Sequence, residues 1–578
     1  MKSGHSRLFT AVACAFALGA CGADDSDGGA WAPDQWCPGD PSGGCDPLLG
    51  APLLAGTGVR SVIPACYELW TDVDGDATIG GDEPFADCGC DQLCPEDAGY
   101  PGPDAGEGDG AHQAAWLGGF QNGRAANGVR DGSLGLRGEG DGLWARAIVL
   151  TQGNTTVALV AIDALGIMID QTQQIRDAVA EAGHDVDLVV VQSSHVHEAP
   201  DTMGIYGPGI TETGFDADYA AQIASAVAEA VGDALAAQVE VELSVGSVDA
   251  GDYWENGIAN LIRDTRDPVI VDPRVGAAHL VGPDGATVAT LVHWANHPET
   301  VADENTLLTS DFAHALRETV ESGVQWGADP ARPGLGGTAL FFNGAVGGMM
   351  TSLGAEVLDP TGAVWSEHSF EKADVVGQLV GEMALDAVAA AEPAVLPDLW
   401  FRRATLTLPV ENVAFQAMFI LGVLSHRQVY DYDPEQQIDE DNEPTVRTEV
   451  DLIGIGPLTL VTIPGELLPE LAIGGYDGSF TPPGSDIVDP NNPNPPDLSA
   501  APAGPYLLER VGGDHVWVLG LGNDEVGYII PPYTFEVSDA AYLTEAEGDH
   551  YEETNSLGPQ TAPLIEAMVD QLVAWPAQ

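Results

Sequence analysis

The segment DLVVVQSSHVHEAPD sets His195 and His197 one residue apart at the end of an apolar run, in a chain with only 13 histidines. Imidazoles at that spacing can ligate a metal together, or one can ligate while the other works as a base beside it. Residues 188–191 are short, apolar and β-branched, which predicts a buried strand. Side chains alternate along a strand, so both rings are expected on one side of it. Two solvent-facing histidines at a strand end would leave the same trace. Three further polar side chains follow apolar runs in the same manner. His297 lies in LVHWANHPET, before a proline that stops any helix. Glu466 lies in LTLVTIPGELL just after a Pro-Gly turn, and Tyr528 lies in VWVLGLGNDEVGYII. Each falls just beyond a buried strand, where loops carry function on a rigid scaffold. Singly, a cap, a turn residue or a backbone-bonded tyrosine accounts for each, and spacing alone does not join the four.

These positions need strands to hold them. Strands are predicted at WARAIVL and VALVAIDALGIMI, then a helix over 171–182, the strand leading to His195, a helix over 217–236 and a strand over 239–245. Such alternation defines an α/β or α+β domain with mixed sheets, of catalytic size, expected over residues 111–578. The stretch SFTPPGSDIVDPNNPNPPDLSAAPAGP, within 479–505, interrupts it with proline and asparagine and reads as a long surface loop.

Composition narrows the function. The 578 residues include 89 acidic and 19 basic ones, a formal net charge of −70, and the only lysines are Lys2 and Lys372. That balance excludes nucleic acid as a partner, since phosphates need basic contacts. It also disfavours docking of the globular surface on anionic lipid. Acidity spread along the whole chain is that of a surface kept soluble in high salt.

The N-terminus reads as an address. Lys2 and Arg7 precede an apolar run over 8–18 that ends in LGAC, the pattern of a signal peptide over 1–20. The ending resembles a bacterial lipobox, which implies lipidation of Cys21 and a bacterial cell-envelope location, the anchor being the only membrane contact. Residues 21–110 are rich in Gly, Asp, Pro and Cys and are expected to form a tether and a small disulfide-stapled module. Its six cysteines after Cys21 (Cys37, Cys45, Cys66, Cys88, Cys90 and Cys94) allow three bridges, and zinc binding by CGCDQLC is the weaker alternative in an exported segment. Within it, DVDGDATIGGDE places Asp72, Asp74, Asp76 and Glu83 at the oxygen-donor positions of a calcium loop, with Ala77 where the turn normally needs glycine. A solvated acidic loop is the other reading of that stretch.

Residues 115–562 resemble the neutral/alkaline (non-lysosomal) ceramidase family in SSHVHEAP, NHPETVADENTLLTSDF, FNGAVGGMM, IPGEL, GLGNDEVGY and HYEETNSLGPQT, which recur in the family's order. The resemblance implies a zinc ion held by His195, His297, Glu466 and Tyr528, with His197 contacting the substrate or its oxyanion. It implies an amide hydrolase acting on an N-acyl or lipid substrate, and it places Arg263 in the family's substrate-binding region. Two imidazoles, a carboxylate and a phenol oxygen are a donor set suited to Zn²⁺. Asp163 and Asp311 are candidate partners for a ligating histidine, and an ordinary turn or capping role is the other reading of each.

The sequence also departs from that pattern. Gly344 stands where the family has a serine once proposed as nucleophile, and Gly348 stands in place of an acid. Water rather than serine is therefore the expected nucleophile. No counterpart of the family's C-terminal immunoglobulin-like domain is expected before Gln578, so preference for ceramide itself is not carried over. A surface binding protein that keeps the fold without turnover is the alternative these losses favour.

Overall fold

In the computed structural model, which describes residues 34–38, 50–80, 83–130, 140–348, 350–395, 397–439 and 442–575, three five-stranded mixed sheets organise the chain. The expected leader, Cys21 and Cys45 lie outside the described residues. The strands used below are β1 (Gln35–Cys37), β2 (Leu53–Ser61), β3 (Trp144–Gln152), β4 (Thr155–Ile162), β5 (Leu188–Ser193), β6 (Val239–Glu240), β7 (Glu242–Asp249), β8 (Arg274–Val281) and β9 (Thr287–Trp294). They continue with β10 (Thr338–Asn343), β11 (Glu392–Pro393), β12 (Leu399–Pro409), β13 (Thr445–Ile455), β14 (Leu458–Thr462), β15 (Glu466–Leu467), β16 (His515–Leu519) and β17 (Tyr528–Ile529). The first sheet runs β5-β4-β3-β2-β6, the second β10-β9-β8-β7-β11 and the third β1-β12-β13-β14-β16. Each contains one parallel pair, β4 with β5, β9 with β10, and β14 with β16, and its other pairs are antiparallel.

Period-2 patterning explains how three sheets share one core. Along β3, Ile148 and Leu150 point into a central cluster that also takes Leu243, Leu291 and Phe342 from the second sheet and Phe401, Ile453 and Trp517 from the third. The alternate residues Ala145, Ala147 and Val149 face outward onto helices α1 (Ile169–Glu181) and α2 (Ala217–Ala236). In α2 the spacing of Ile223, Val227 and Val231 makes the apolar stripe, and the Asp216 carboxylate caps the first turn by accepting from the amides of Asp218 and Tyr219. Helices α3 (Phe312–Ser322) and α4 (Phe370–Ala390) cover the second sheet in the same way. Helix α6 (Thr561–Ala574) covers the third, and a short helix α5 (Val413–Leu421) follows β12.

Two sequence expectations change. The single strand over 239–245 is two strands, β6 in the first sheet and β7 in the second, because the chain crosses between sheets at Val241. Two described segments of the stretch expected as tether and module, residues 35–37 and 53–61, are strands of the main sheets. β2 pairs with β3 along nine residues, and Gly56 and Gly58 let α2 lie directly on it: a Cβ at Gly58 would stand 2.0 Å from the Ala230 carbonyl oxygen. β1 closes the edge of the third sheet. Composition hid these strands because glycine, which weakens a strand propensity, is required here for close approach.

The cysteine-rich stretch is stapled by Cys66–Cys90 and Cys88–Cys94 and packs on the first sheet's core through Tyr67. Trp70 Nε1 donates to the Ala125 carbonyl at 3.2 Å, and buried Glu68 accepts from the amides of Gly89 and Gln113.

Candidate metal centre

The functional side chains gather beyond the carboxyl ends of the three parallel pairs. β5 ends at Ser193 and β9 at Trp294, so His195 and His297 follow them by two and three residues. Glu466 follows β14, Tyr528 follows β16, and these last two face each other as register partners in the short parallel pair β15/β17. The His195 and His197 rings do share a pocket, with centroids 5.0 Å apart, but strand alternation is not the reason. His195 has φ +68°, a left-handed conformation beyond the strand, and this turn rather than a pleat aims both rings inward. A non-glycine residue held there is backbone strain retained at a site where several side chains must converge.

Three donor atoms meet. Glu466 Oε2 lies 3.0 Å from His297 Nε2 and 3.4 Å from His195 Nε2. The opposite nitrogens are tied to obligate acceptors: His195 Nδ1 donates to the Leu165 carbonyl and His297 Nδ1 to the Met350 carbonyl, both at 2.8 Å. With Nδ1 carrying the proton, each Nε2 offers a lone pair. Two lone pairs facing a carboxylate repel it unless a proton or a cation lies among them. Ligands about 2.0–2.1 Å from a tetrahedral zinc would be about 3.3 Å apart, close to the spacing seen. The donor set therefore fits zinc.

His197 differs. Its ring joins the cluster, with a ligand atom from each of His195, His197 and His297 lying within 4.8 Å of the others. Both its nitrogens are buried without a hydrogen-bond partner, and Nδ1 lies 3.3 Å from Glu299 Oε2. Burial, then the neighbouring His195 and His297, hold its pKa well below the ordinary imidazole value. Burial also opposes charge on His297, but the hydrogen bond to Glu466 and the Glu299 carboxylate outweigh it and push its pKa up to about 9. Burial opposes ionisation of Glu466 too, yet the two imidazoles hold its carboxyl below the usual range.

These groups open into a cavity of about 370 Å³ whose other walls are mostly apolar, including Phe120, Met168, Met203, Phe415, Phe419 and Leu424. Tyr528 is buried on the same wall as Glu466, and burial raises its pKa well above the ordinary phenol value.

Arg263 is not brought to the cavity: its Nη1 donates to the Ala259 carbonyl, and its backbone pairs with Thr351, which also pairs with His297. Arg427 is the arginine that lines the cavity. Asp163 and Asp311 do not orient a histidine. Asp163 takes a two-pronged ion pair from Arg317, and Asp311 accepts from Thr300 and caps α3. The loop after β4 does serve His195, but through the Leu165 carbonyl. Glu299 and Glu525, both buried and both lining the cavity, were missed; each stood inside a motif already singled out, and a carboxylate in an apolar context was the available signal.

The two glycine departures have a steric account. A Cβ at Gly344 would lie 3.0 Å from both Ala295 Cβ and His293 Nε2, and one at Gly348 would lie 3.0 Å from the Asp264 carboxylate. Of the four expected calcium donors, Asp72, Asp74 and Asp76 gather, with Ala77 at φ +60° making the turn. Glu83 instead accepts from the amides of Val73 and Gly80, and Asp72 accepts from Gly75 and Ala77, so the loop closes on its own backbone.

Three mixed sheets around one core, with a histidine-lined cavity beyond their parallel strands, make a ceramidase-like fold. The chain is similar in structure to the neutral ceramidase from Pseudomonas aeruginosa, with TM-score 0.55 and 15% identity over 90% of this chain and 74% of that one. It is also similar to a ceramidase complexed with C2, with TM-score 0.53 and 14% identity over 90% of this chain and 75% of that one. At these identities the likeness establishes the fold. No family model and no curated protein matches the sequence.

Proposed function

We propose that the protein is a zinc-dependent hydrolase of C–N amide bonds that attacks an N-acyl substrate with water. The observation that carries this reading is the convergence of His195 Nε2, His297 Nε2 and Glu466 Oε2 with both Nδ1 atoms committed to carbonyls. His195, His297, Glu466 and Tyr528 would hold the metal, which when bound supplies Lewis acidity and lowers the pKa of water to about 7. His197, neutral and unpartnered, is placed to take a proton from water and return it to the leaving amine nitrogen. Glu299, whose Oε2 lies 3.3 Å from its Nδ1, would stabilise the imidazolium while it holds that proton. The apolar walls accommodate the acyl chain and exclude bulk water.

Gly344, where a Cβ would already be tight against Ala295 and His293, offers no serine hydroxyl and supports water as nucleophile. Export and lipidation at Cys21 belong to the same proposal and rest on the leader sequence. Zinc analysis beside a hydrolysis screen on fluorogenic N-acyl amides tests the reading. One zinc per chain with amide cleavage is expected; zinc retention without cleavage of any N-acyl amide would favour a binding protein. Mass spectrometry of the native N-terminus tests the anchor, and a mature chain that starts elsewhere without lipid would refute it.

A further inference from the structure

The cavity holds three carboxylates, and two of them face histidines. Glu466 faces His195 and His297, and Glu299 faces His197. Glu525 faces none. The residue is 2% exposed, its Oε1 accepts from the Gly527 amide at 2.7 Å, and its Oε2 is buried with no hydrogen-bond partner. Arg427, the cation in the same wall, is spent on Asp524, with its two terminal nitrogens 2.5 and 2.8 Å from that carboxylate. The side chain is held against the cavity wall. Gly527 pins one oxygen, and the chain at Gly166 lies so near that a Cβ there would stand 2.8 Å from Glu525 Cγ and from Met203 Sδ.

Burial, then the nearby Glu466, push the Glu525 carboxyl well above the usual carboxylate range, so it holds its proton in the cavity. A cation arriving with the ligand displaces that proton and pairs with the carboxylate. A hydroxyl offers the unpartnered Oε2 one hydrogen bond, whereas an ammonium adds an ion pair with the deprotonated group in an apolar surround. The exterior points the same way, since a net charge of −70 concentrates cations near the surface and repels anionic substrates. The geometry points to Glu525 as a specificity residue that binds a cationic group on the amine half of the substrate, making the preferred substrate an N-acylated diamine or similar cationic N-acyl amine. The substrate class rests on the amide-hydrolase reading; the cation subsite itself does not.

The test separates the two. Binding of dodecylammonium, dodecanol and laurate to the zinc-loaded full chain is measured by calorimetry, with no turnover involved. Dodecylammonium should bind about tenfold or more tighter than dodecanol, and Glu525→Gln should collapse that ratio while zinc content is retained. Equal binding of dodecylammonium and dodecanol by the unsubstituted protein overturns the subsite without recourse to the variant. Hydrolysis of N-lauroyl-1,4-diaminobutane is then compared with N-lauroyl-4-aminobutanol. A higher kcat/KM for the diamine amide, lost in Glu525→Gln through KM, supports the substrate class. Cleavage of both at equal rates overturns it and leaves the hydrolase reading standing. Cation-selective binding with neither amide cleaved overturns the hydrolase reading and leaves the subsite standing.

Discussion

Hydrogen-bond bookkeeping distinguishes the three clustered histidines. His195 and His297 each have one nitrogen fixed by a carbonyl and the other turned to Glu466, the arrangement of a ligand; His197 has neither nitrogen fixed. His195→Ala and His297→Ala should therefore each strip zinc together with activity, because either leaves an incomplete donor set. His197→Ala should retain zinc and lose turnover by about 10²–10⁴-fold, the range for an acid–base group. Metal analysis and kinetics on the same preparations check both. Full zinc and full activity in His195→Ala would refute the metal centre. Gly344→Ser should install no nucleophile: its Cβ meets Ala295 and His293, so lower stability without burst kinetics is expected, as thermal melts and pre-steady-state traces would record.

Among the elements, legibility followed apolar pattern. β5, α1 and α2 were read within a few residues because period-2 and period-3.6 repeats are local properties of the chain. β2 was not, since its strand character comes from a helix lying on glycines that only the folded chain brings together. The cross-sheet break at Val241 was likewise invisible, because pairing partners and not propensity divide β6 from β7. At the site, residue types were legible and their supports were not. The carbonyls of Leu165 and Met350 orient the histidines, and a backbone carbonyl leaves no mark in a sequence, whereas Asp163 and Asp311 looked the part and serve elsewhere. The integration of β2 can be measured directly. Gly58→Ala would force its Cβ onto the Ala230 carbonyl oxygen, so α2 must shift at a cost of about 1–3 kcal/mol, read by chemical denaturation. An unchanged midpoint would mean that this stretch does not belong to the cooperative fold.

For the molecule as a whole, acidity enters in two ways that pH and salt can separate. Asp201, Asp311, Glu470 and Glu552 are buried, and burial, the largest cause in each case, pushes each pKa up to about 7. A carboxyl that holds its proton more tightly folded than unfolded adds stability that is full below the unfolded pKa of about 4, and that is lost as pH rises through about 7. Around these buried groups lies a surface carrying most of the −70 net charge, whose self-repulsion also opposes the compact state once ionised. The melting temperature should therefore fall between about pH 5 and about pH 8. Raising salt from about 0.1 M to about 1 M shortens the screening length from about 10 Å to about 3 Å, which relieves surface repulsion but hardly reaches buried carboxyls. At high salt the melting temperature near pH 8 should rise, while a residual downward slope with pH persists. Scanning calorimetry over that grid checks both parts. A melting temperature indifferent to salt near pH 8 would remove the surface contribution, and a slope abolished by salt would remove the buried one.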